Sequence, residues 1–439
     1  MAQETIFWQT TAPETPCLAP LTEDLSCDVV VIGAGFTGLR TALDLAQAGT
    51  DVIVLDAGAV AHGASGRSGG QVNPMLPVDQ PETLRKAVGT TYFERMTHAA
   101  MASADALFDL IRQNDIPCDA RQNGWIRAEH CPRATHVAQK NASLWNAFGA
   151  DLQVISAQDV QRLSGAQGYR SGILAPKGGA VQPLALTRGL ARACLSHGAR
   201  LFDHSPATNV MRQNGRWRVQ VGARTLTADQ VILATNGYTD GLWPGLKRSI
   251  LALHSIQIAT DPLPAAQLDP ILPQGHTISD TRRLIMYARR EPGHQIVFGG
   301  IGFCIRRLGR FGFNWLLKDA PRIFPSLRGV TWRYRWGGQI ALTPGRVPHL
   351  HEPAPGVLAG LGYNGRGVAM SFLMGQQLAL RALGTAATDL VFPMTNITPY
   401  VGAGFQSAGA GLAMATFRLR DVLDIGGWTG QSLGRDGNS

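Results

Sequence analysis

The chain has 439 residues, of which 45% are apolar and 16% are charged. This length predicts two or three structural units, and the low charge excludes a disordered, highly charged chain. The net charge is +9, but no run of five or six basic residues occurs, so nucleic acid is not an expected partner.

Signals of several other protein classes are missing from the sequence. The six cysteines include no Cys-x-x-Cys pair, so neither a metal site nor a disulfide framework is expected. No stretch of 18 residues is continuously apolar, and the first residues lack the pattern of a signal peptide. We therefore expect a cytoplasmic protein without a membrane span.

The first periodic segment predicts a complete βαβ unit. Residues 1–27 are rich in Pro and Thr and are expected to form an extended arm. The apolar run 28–32 predicts a buried strand, and apolar residues spaced by three and four then predict a helix that ends at Gly49. Residues 51–55 predict a second buried strand.

Later segments alternate between helical and strand patterns. Helices are predicted at 82–115, 184–197 and about 368–383, and strands at 124–128, 207–227, 230–234, 250–300 and 356–360. Turns at Asn214-Gly215 and at 291–294 predict hairpins. The sequence predicts an α/β fold overall, with a doubly wound domain and a mixed-sheet domain inserted into it.

A glycine motif occupies the first strand-to-helix turn. Gly33-x-Gly35-x-x-Gly38 follows the strand directly, and Asp56 ends the second strand 18 positions after Gly38. The glycines permit a tight turn and close approach to a pyrophosphate, and the helix N-terminus attracts phosphate. Asp56 is placed to accept hydrogen bonds from a ribose, so a dinucleotide is predicted.

The segment after the second strand distinguishes between possible dinucleotides. His62 to Gln71 reads HGASGRSGGQ, in which small residues surround Arg67. Such a stretch can wrap closely around a flat ring, with Arg67 meeting negative charge. A nicotinamide enzyme is instead expected to continue into another βαβ unit, so this pattern favours FAD over NAD.

Together these motifs resemble the FAD-dependent oxidoreductases of the D-amino-acid-oxidase superfamily, and most closely the γ-glutamylputrescine oxidoreductase branch. Ser68 stands where Asn is usual in that branch. The resemblance continues in four further blocks, at 179–183, 234–238, 335–338 and 362–368. It covers the chain from about Phe7 to Leu383.

The resemblance implies a two-domain flavoenzyme. The FAD-binding domain would comprise 28–84, 151–245 and 340–439, and the substrate domain 85–150 and 246–339. Family members oxidise a C–N bond by hydride transfer to flavin N5, and the resulting imine hydrolyses. The tail is expected to contribute a helix at 416–425 that packs on the FAD-binding domain.

Matching the family motifs residue by residue yields the candidate cofactor site. The implied FAD contacts are Gly33, Ala34, Gly35, Phe36, Thr37, Gly38, Asp56, Ala57, Ala64, Ser65, Gly66, Arg67, Ser68, Gly69, Gly70, Gln71, Val210, Ala234, Thr235, Asn236, Gly237, Gly338, Gly362, Tyr363, Asn364, Gly365, Arg366 and Gly367. The stretch 337–342 lacks the cysteine that links flavin covalently in some relatives, so FAD is expected to be non-covalent.

Five residues are candidates for the substrate pocket: Tyr287, Trp336, Gln339, Tyr363 and Arg366. Tyr287 and Arg366 are also the candidate catalytic residues. The aromatic rings would surround an alkyl amine or bind its cation by cation–π contact. Arg366 would stabilise reduced flavin or bind a substrate carboxylate. His254 and Gln257 should lie on opposite strand faces, so at most one faces the flavin.

Three functions remain open from the sequence. The first is an FAD-dependent amine or amino-acid oxidase, with γ-glutamylated polyamines as candidate substrates and a role in polyamine catabolism. The second is a dehydrogenase for a secondary amine, imino acid or D-amino acid. No lysine occurs between Lys247 and Lys318, so either O2 or another acceptor is possible. The third is a flavin-binding subunit without turnover.

Overall fold

The computed structural model describes residues 4–77, 80–302, 304–305, 310–399, 416 and 420–421. Its strands are β1 (Leu25–Ile32), β2 (Val52–Leu55), β3 (Gln71–Val72), β4 (Trp125–Glu129), β5 (Gln153–Ser156), β6 (Ser171–Ala175), β7 (Gly179–Ala180), β8 (Arg200–Phe202), β9 (Ala207–Gln213), β10 (Arg216–Val221), β11 (Arg224–Leu233), β12 (Leu251–Thr260), β13 (Thr277–Asp280), β14 (Met286–Arg290), β15 (Ile296–Gly302), β16 (Cys304–Ile305), β17 (Arg310–Phe311), β18 (Trp332–Leu342), β19 (His349–Ala354) and β20 (Val357–Leu361). Its α-helices are α1 (Phe36–Gln47), α2 (Pro81–Val88), α3 (Thr90–Gln113), α4 (Pro132–Asn146), α5 (Ala157–Ser164), α6 (Pro183–Ser196), α7 (Ala265–Leu268), α8 (Asn314–Ile323) and α9 (Gly367–Ala382).

The first sheet contains the predicted βαβ unit. Its strand order is β19-β20-β11-β1-β2-β8, and the pairs from β20 to β8 are parallel. Alternate side chains of β1, such as Val29 and Val31, join the helix-covered core, while Val30 and Ile32 pack in a cluster with β10. Because both faces are covered, these strands read as continuous apolar runs. The predicted fold class is confirmed.

The helix of the βαβ unit packs very closely against α9. A Cβ atom at Gly375 would lie 2.7 Å from both the Cβ of Arg40 and the carbonyl oxygen of Thr37. The Thr41 hydroxyl also donates a 3.0 Å hydrogen bond to the Gly375 carbonyl. This contact brings the N-terminal turns of two helices, each preceded by a glycine-rich segment, to the same side of the sheet.

The second sheet is mixed, as predicted, with the order β18-β12-β15-β14-β13-β4-β6-β5. β13 and β4 are parallel, whereas the other neighbours are antiparallel. The hairpins predicted at 214–215 and 291–294 are confirmed, since they join β9 to β10 and β14 to β15. One face of the sheet packs on α8 through Phe298, and the other, here called the front face, joins the core of the first sheet through Trp336.

The predicted domain boundaries differ from the observed sheets in three places. Strands β5 and β6, within 151–245, pair with β4 and so belong to the second sheet. Helix α3, within 85–150, packs on α9 beside the first sheet. Strand β18 crosses the boundary predicted between 339 and 340. Strand pairing between distant segments decides membership of a sheet, and this pairing leaves no local sequence pattern.

The N-terminal arm and one residue of the tail, Asp421, contact the second sheet or its loops. The arm pairs Thr5 with Arg335, and Trp8 has no exposed surface. Most of the predicted helix at 416–425 lies outside the described residues. Within it, Asp421 accepts backbone hydrogen bonds of 3.0 Å from Arg283 and Leu284, in the loop before β14. At that residue the tail therefore contacts the second sheet, whereas the prediction placed it on the FAD-binding domain.

None of the helices in the described part of the chain is both long and apolar enough to cross a membrane.

Candidate cofactor and substrate site

Four predicted motifs converge at one edge of the first sheet. The glycine turn follows β1, Asp56 follows β2, Ala234 follows β11 and Gly362 follows β20. Because these strands are parallel neighbours, their carboxyl ends lie side by side. Ligands of open α/β sheets bind at this edge.

The first glycine turn leaves no room for side chains. Gly33 has φ +111°, and a Cβ atom there would lie 2.9 Å from the Ala234 carbonyl oxygen. At Gly38 a Cβ atom would lie only 1.9 Å from the carbonyl oxygen of Gly33. Gly35 is the N-cap of α1, and a Cβ atom there would lie 2.9 Å from Ser65 Oγ.

Asp56 organises the turn through hydrogen bonds. Its Oδ2 accepts a 2.7 Å bond from the Ala34 amide, and its Oδ1 accepts a 3.0 Å bond from the Gly58 amide. The Nδ1 atom of His62 lies 2.9 Å from the same Oδ1. This hydrogen bond from His62 to Asp56 raises the pKa of His62. Asp56 is thus tied to both the first turn and the following loop.

The His62–Asp56 pair predicts a pH-dependent loss of stability in His62→Gln. Because the pKa of His62 is raised in the folded state, its contribution is fully present below the unfolded pKa near 6.5 and disappears as pH rises through the folded value. We expect the apoprotein variant to melt at a lower temperature than the parent at pH 5.5 and at the same temperature at pH 9. Thermal melts at both pH values check this, and an equal difference at both would contradict it.

The loop from Ala64 to Gln71 lies between the two sheets. Ser65 Oγ accepts a 2.9 Å bond from the Phe36 amide at the start of α1. On the other side, Gln71 Nε2 donates bonds of 3.2 and 3.0 Å to the carbonyls of Ile278 and Ala288 on the second sheet. The loop is therefore fixed by both sheets at the predicted cofactor position.

Arg67 has partners within the chain. Its Nη1 lies 2.8 Å from Glu4 Oε1 and donates a 3.2 Å bond to the Gly337 carbonyl. Glu4 Oε1 also accepts a 2.9 Å bond from the Gly337 amide. Gly338 faces the loop, since a Cβ atom added at this position would lie 3.2 Å from the Cβ atom of Arg67. In the structure Arg67 thus connects the loop to the arm and to β18.

Two asparagines connect the later turns. Asn236 and Asn364 both have positive φ, at 41° and 52°, a conformation that Asn tolerates better than most residues. Asn236 Oδ1 accepts a 2.9 Å bond from the Gly362 amide, and Asn364 Oδ1 accepts a 2.8 Å bond from the Thr343 amide. The first bond holds the turns after β11 and β20 next to each other, and the second ties the turn after β20 to the end of β18.

The residues at this edge fit FAD. Gly33 and Gly38 let the turn and α1 pack closely on neighbouring backbone, and the N-terminus of α1 begins at this turn beside the carboxyl ends of the strands. A pyrophosphate suits such a helix N-terminus, and the adjacent loop of small residues suits a flat ring. The residues that would hold FAD are those of the four turns and of the loop from Ala64 to Gln71.

The front face of the second sheet carries a small polar cluster. The Tyr287 hydroxyl lies 2.7 Å from Ser255 Oγ, and burial raises its pKa, so the phenol stays protonated. The Tyr287 ring lies against Gly69 and Gly299, where a Cβ atom would approach it to 2.7 and 2.4 Å. Gln257 lies on this face too, because it pairs with Gly299, as Tyr287 does. By alternation along β12, His254 points to the opposite face.

The other sequence candidates do not all join Tyr287. Trp336 is fully buried, and its Nε1 donates a 3.0 Å bond to the Arg67 carbonyl. Tyr363 is 3% exposed, with its hydroxyl 2.6 Å from Thr37 Oγ1. Gln339 lies next to Gly338 on β18, so alternation directs it away from the front face. Tyr287 and Arg366 thus remain as half-buried candidates, whereas Trp336 and Tyr363 are enclosed and Gln339 points to the other face.

The structure also separates Val210 from the other predicted cofactor residues. Val210 lies on β9, at the level of Val219 on β10 and Leu226 on β11. Leu226 is seven residues before the carboxyl end of β11, or roughly 23 Å along the strand. The hairpin β9–β10 pairs with residues 224–228, the amino-terminal half of β11, and this pairing keeps Val210 from the carboxyl edge.

Arg366 connects the two sheets. It is the N-cap of α9 and is half-buried. Its guanidinium lies 4.6 Å from the ring centroid of Trp125, on β4 of the second sheet. The Trp125 indole donates a 3.0 Å bond to Ser279, which pairs with Tyr287. Arg366 therefore lies at the same side of the sheet as Tyr287, two strands away.

Three residues that support the site were not found from the sequence. Glu4 binds Arg67, Trp8 Nε1 donates a 2.9 Å bond to the Ser68 carbonyl, and buried Arg289 contacts the loop at Gly69 and Gly70. Glu4 and Trp8 lie in an aperiodic arm, and Arg289 is one of several arginine pairs. The one local signal for the role of Arg289 is the pattern Arg289-x-Glu291, which places two opposite charges at the end of the mostly buried strand β14.

Other chemistries receive no support from the described residues. Within them, no group of three or more His, Cys, Asp or Glu side chains is placed to hold a metal ion. Burial raises the pKa of the Cys27 and Cys118 thiols to about 12, so neither is a nucleophile at neutral pH.

Comparison with known proteins agrees with the geometry of the cofactor edge. The model of a family described as FAD dependent oxidoreductase matches residues 28–381. The probable oxidoreductase OrdL of Haemophilus influenzae is 31% identical over 370 residues, covering 83% of this chain and 85% of the relative. The γ-glutamylputrescine oxidoreductase of Escherichia coli is 29% identical over 412 residues, covering 92% and 95%.

Solved structures show the same fold. The glycine oxidase from Geobacillus kaustophilus matches with a TM-score of 0.71 at 17% identity, covering 85% of this chain and 100% of that one. The L-proline dehydrogenase from P. horikoshii matches with a TM-score of 0.69 at 18% identity, covering 84% and 96%. The two proteins share an architecture with this chain, although their names state different substrates.

Proposed function

Because this chain belongs to the family of FAD dependent oxidoreductases, we propose that it oxidises the C–N bond of an alkyl amine. γ-Glutamylputrescine is the candidate substrate, since the Escherichia coli relative that acts on it aligns over 92% of this chain. A role in polyamine catabolism is part of this proposal. A cytoplasmic location remains the prediction made from the sequence.

The observation that carries the proposal is that the side chains beside Tyr287 at one end of the front face are apolar or bear hydroxyls, while the nearby Arg67 and Arg289 are paired with Glu4 and Glu291. Across the strands, Leu253 pairs with Ile340, and Ser255 pairs with Ile301. These residues and Tyr287 are half-buried, whereas Gln257 and its cross-strand partners Gly299 and Trp336 are buried. A substrate carboxylate at the reacting carbon would need a cationic partner there. The apolar side chains and two hydroxyls instead suit an alkyl chain that ends in an amine.

Arg366 is placed to contact the end of the substrate that lies farthest from Tyr287. It lies over Trp125, and two strand spacings, roughly 10 Å, separate Trp125 from Tyr287. A carboxylate at the far end of an extended amine would reach such a distance. We therefore assign Arg366 to the distal carboxylate of γ-glutamylputrescine and Tyr287 to its reacting amine end.

The side chains of this pocket bind and orient the amine. FAD, when bound, supplies the hydride acceptor. The Tyr287 hydroxyl, held by Ser255, keeps its proton and offers its oxygen to an N–H group of the substrate. Leu253, Ile301 and Ile340 pack on the alkyl chain and exclude water. Once the substrate ammonium has lost its proton, hydride transfer from the neutral amine needs no further protein base.

Anaerobic titration of the FAD-loaded protein tests the proposed function. We expect γ-glutamylputrescine to bleach the visible flavin band, putrescine to do so at higher concentration, and glycine and D-alanine to have no effect. Bleaching by the amino acids alone would contradict the alkyl-amine assignment. A flavin that no amine or amino acid reduces would favour a binding subunit without turnover.

Arg366→Gln tests the distal contact. Its apparent KM for γ-glutamylputrescine should rise about tenfold, while that for putrescine should stay unchanged, because only the first substrate bears a carboxylate. Arg381→Gln is the matched control, since Arg381 lies at the other end of α9 and pairs with Glu352. An equal rise for both substrates in Arg366→Gln would contradict the assignment.

The electron acceptor is a separate part of the proposal. Strand β15 carries glycine at 299 and 300 and has no lysine between Ile296 and Gly302. We propose that an acceptor other than O2 reoxidises the enzyme faster than O2 does. Comparing H2O2 formation with reduction of an artificial acceptor tests this, and faster turnover with O2 would establish an oxidase.

A further inference from the structure

Arg289 is a buried charge that the proposed chemistry does not use. It lies on β14, two residues after Tyr287, and is 1% exposed. Its guanidinium is paired with both carboxylate oxygens of Glu291 and lies 5.0 Å from the ring centroid of Trp8. Glu291 is 3.6 Å from Arg121 as well. Burial of a charged pair is costly, so this arrangement calls for an explanation beyond stability.

The remaining donors of Arg289 bind the cofactor loop. Its Nη1 lies 3.1 Å from the carbonyl oxygens of both Gly69 and Gly70, and 2.6 Å from that of Val181. The Val181 amide also donates a 2.9 Å bond to the Gly70 carbonyl. A Cβ atom at Gly70 would lie 2.4 Å from Nη1, so glycine is needed for this contact. Arg289 thus fixes the end of the loop to β14 and β7.

These bonds determine where one backbone amide points. The C=O of Gly70 and the N–H of Gln71 belong to the same trans peptide, so they point in opposite directions. Because the Gly70 carbonyl is directed at Arg289 and Val181, the Gln71 amide is directed away from the Arg289 guanidinium and from Val181. An amide N–H held in this way stabilises negative charge on a group that accepts its hydrogen bond.

We propose that Arg289 is a positioning residue that holds the Gln71 amide toward the bound flavin and thereby raises the reduction potential of FAD. Arg289 acts through the carbonyls of Gly69 and Gly70 and touches neither flavin nor substrate. This inference rests on FAD binding and is independent of the substrate proposed above, so its test needs no substrate.

The test compares Arg289→Lys with a matched control. Lysine keeps the charge beside Glu291 but lacks the planar set of donors that reaches two carbonyls and a carboxylate together. Arg127→Lys is the control, because Arg127 and Glu129 form the same Arg-x-Glu pair on β4, which lies two strands from β14 in the same sheet. The readouts are the FAD dissociation constant, the reduction potential against a redox dye, and the melting temperature of the apoprotein.

We expect Arg289→Lys to bind FAD about tenfold more weakly and to have a lower reduction potential. Arg127→Lys should retain both parental values even where its melting temperature falls. An unchanged potential in Arg289→Lys, or equal changes in both variants, would overturn the proposal.

A second variant keeps the test decisive where Arg289→Lys does not fold. Glu291→Gln retains Arg289 but loosens its guanidinium, so the potential should fall by a smaller amount. A parental potential in Glu291→Gln, together with a lower melting temperature, would show that the buried pair serves stability alone.

Discussion

Gly38→Ala should fold poorly and be purified without FAD. The added Cβ atom would lie 1.9 Å from the Gly33 carbonyl oxygen and 3.1 Å from Val31 Cγ1, so α1 cannot keep its place on β1. Overpacking of this kind costs about 3 kcal/mol or more, because two backbone segments must separate. Chemical denaturation of the apoprotein and the ratio of flavin to protein absorbance measure the two effects.

Gly367→Ala is the control for this substitution. Gly367 also belongs to a predicted cofactor turn, but a Cβ atom there meets nothing within 4 Å, and its φ is not positive. Alanine at the start of α9 should leave stability equal or up to about 1 kcal/mol higher. Equal flavin content in the two variants would contradict the structural account of the first turn.

Trp8→Ala should destabilise the protein by about 3–5 kcal/mol, although it alters the N-terminal arm. The Trp8 ring is fully buried, lies edge-on to Trp336 with centroids 5.8 Å apart, and packs against Arg289. Its indole also binds the Ser68 carbonyl, so loss of the ring should weaken FAD binding as well. Urea denaturation and FAD titration check the two parts.

Trp243→Ala separates the loss of a large ring from the loss of the loop contact. Trp243 is half-buried, lies 5.9 Å from Trp217, and belongs to the cluster on the other face of the first sheet. It should lose less stability than Trp8→Ala and bind FAD as the parent does. Parental FAD affinity in Trp8→Ala would show that the arm does not support the cofactor loop.

The parts of the site that the sequence predicted are those fixed by local sterics. The glycine turn of β1 and α1 was predictable because Gly33 and Gly38 satisfy a requirement of the backbone within six residues. The turn at Asn236 was recognisable for a similar reason, since its conformation and its bond to Gly362 depend on a short polar side chain. Each motif could therefore be assigned before the strands were ordered in a sheet.

The parts that were missed depend on contacts between distant segments. Glu4 lies 63 positions from Arg67, and its role appears only when the arm pairs with β18. Trp336 and Tyr363 are candidates for the substrate pocket because they lie beside recognised motifs, yet both are enclosed by the core. Burial of a particular ring follows from how two sheets pack, and no spacing within a motif determines it.

The order of strands in the first sheet also constrains how the protein is made. β1 and β2 emerge early from the ribosome, but the parallel neighbours β11 and β20 follow about 200 and 330 residues later. Pairings across such separations form slowly, and their open strand edges invite aggregation in the interval. The nascent chain cannot assemble the four turns until α9 has been synthesised. We therefore expect FAD to be captured late in biosynthesis, and the unfinished βαβ unit to stay exposed to aggregation until then.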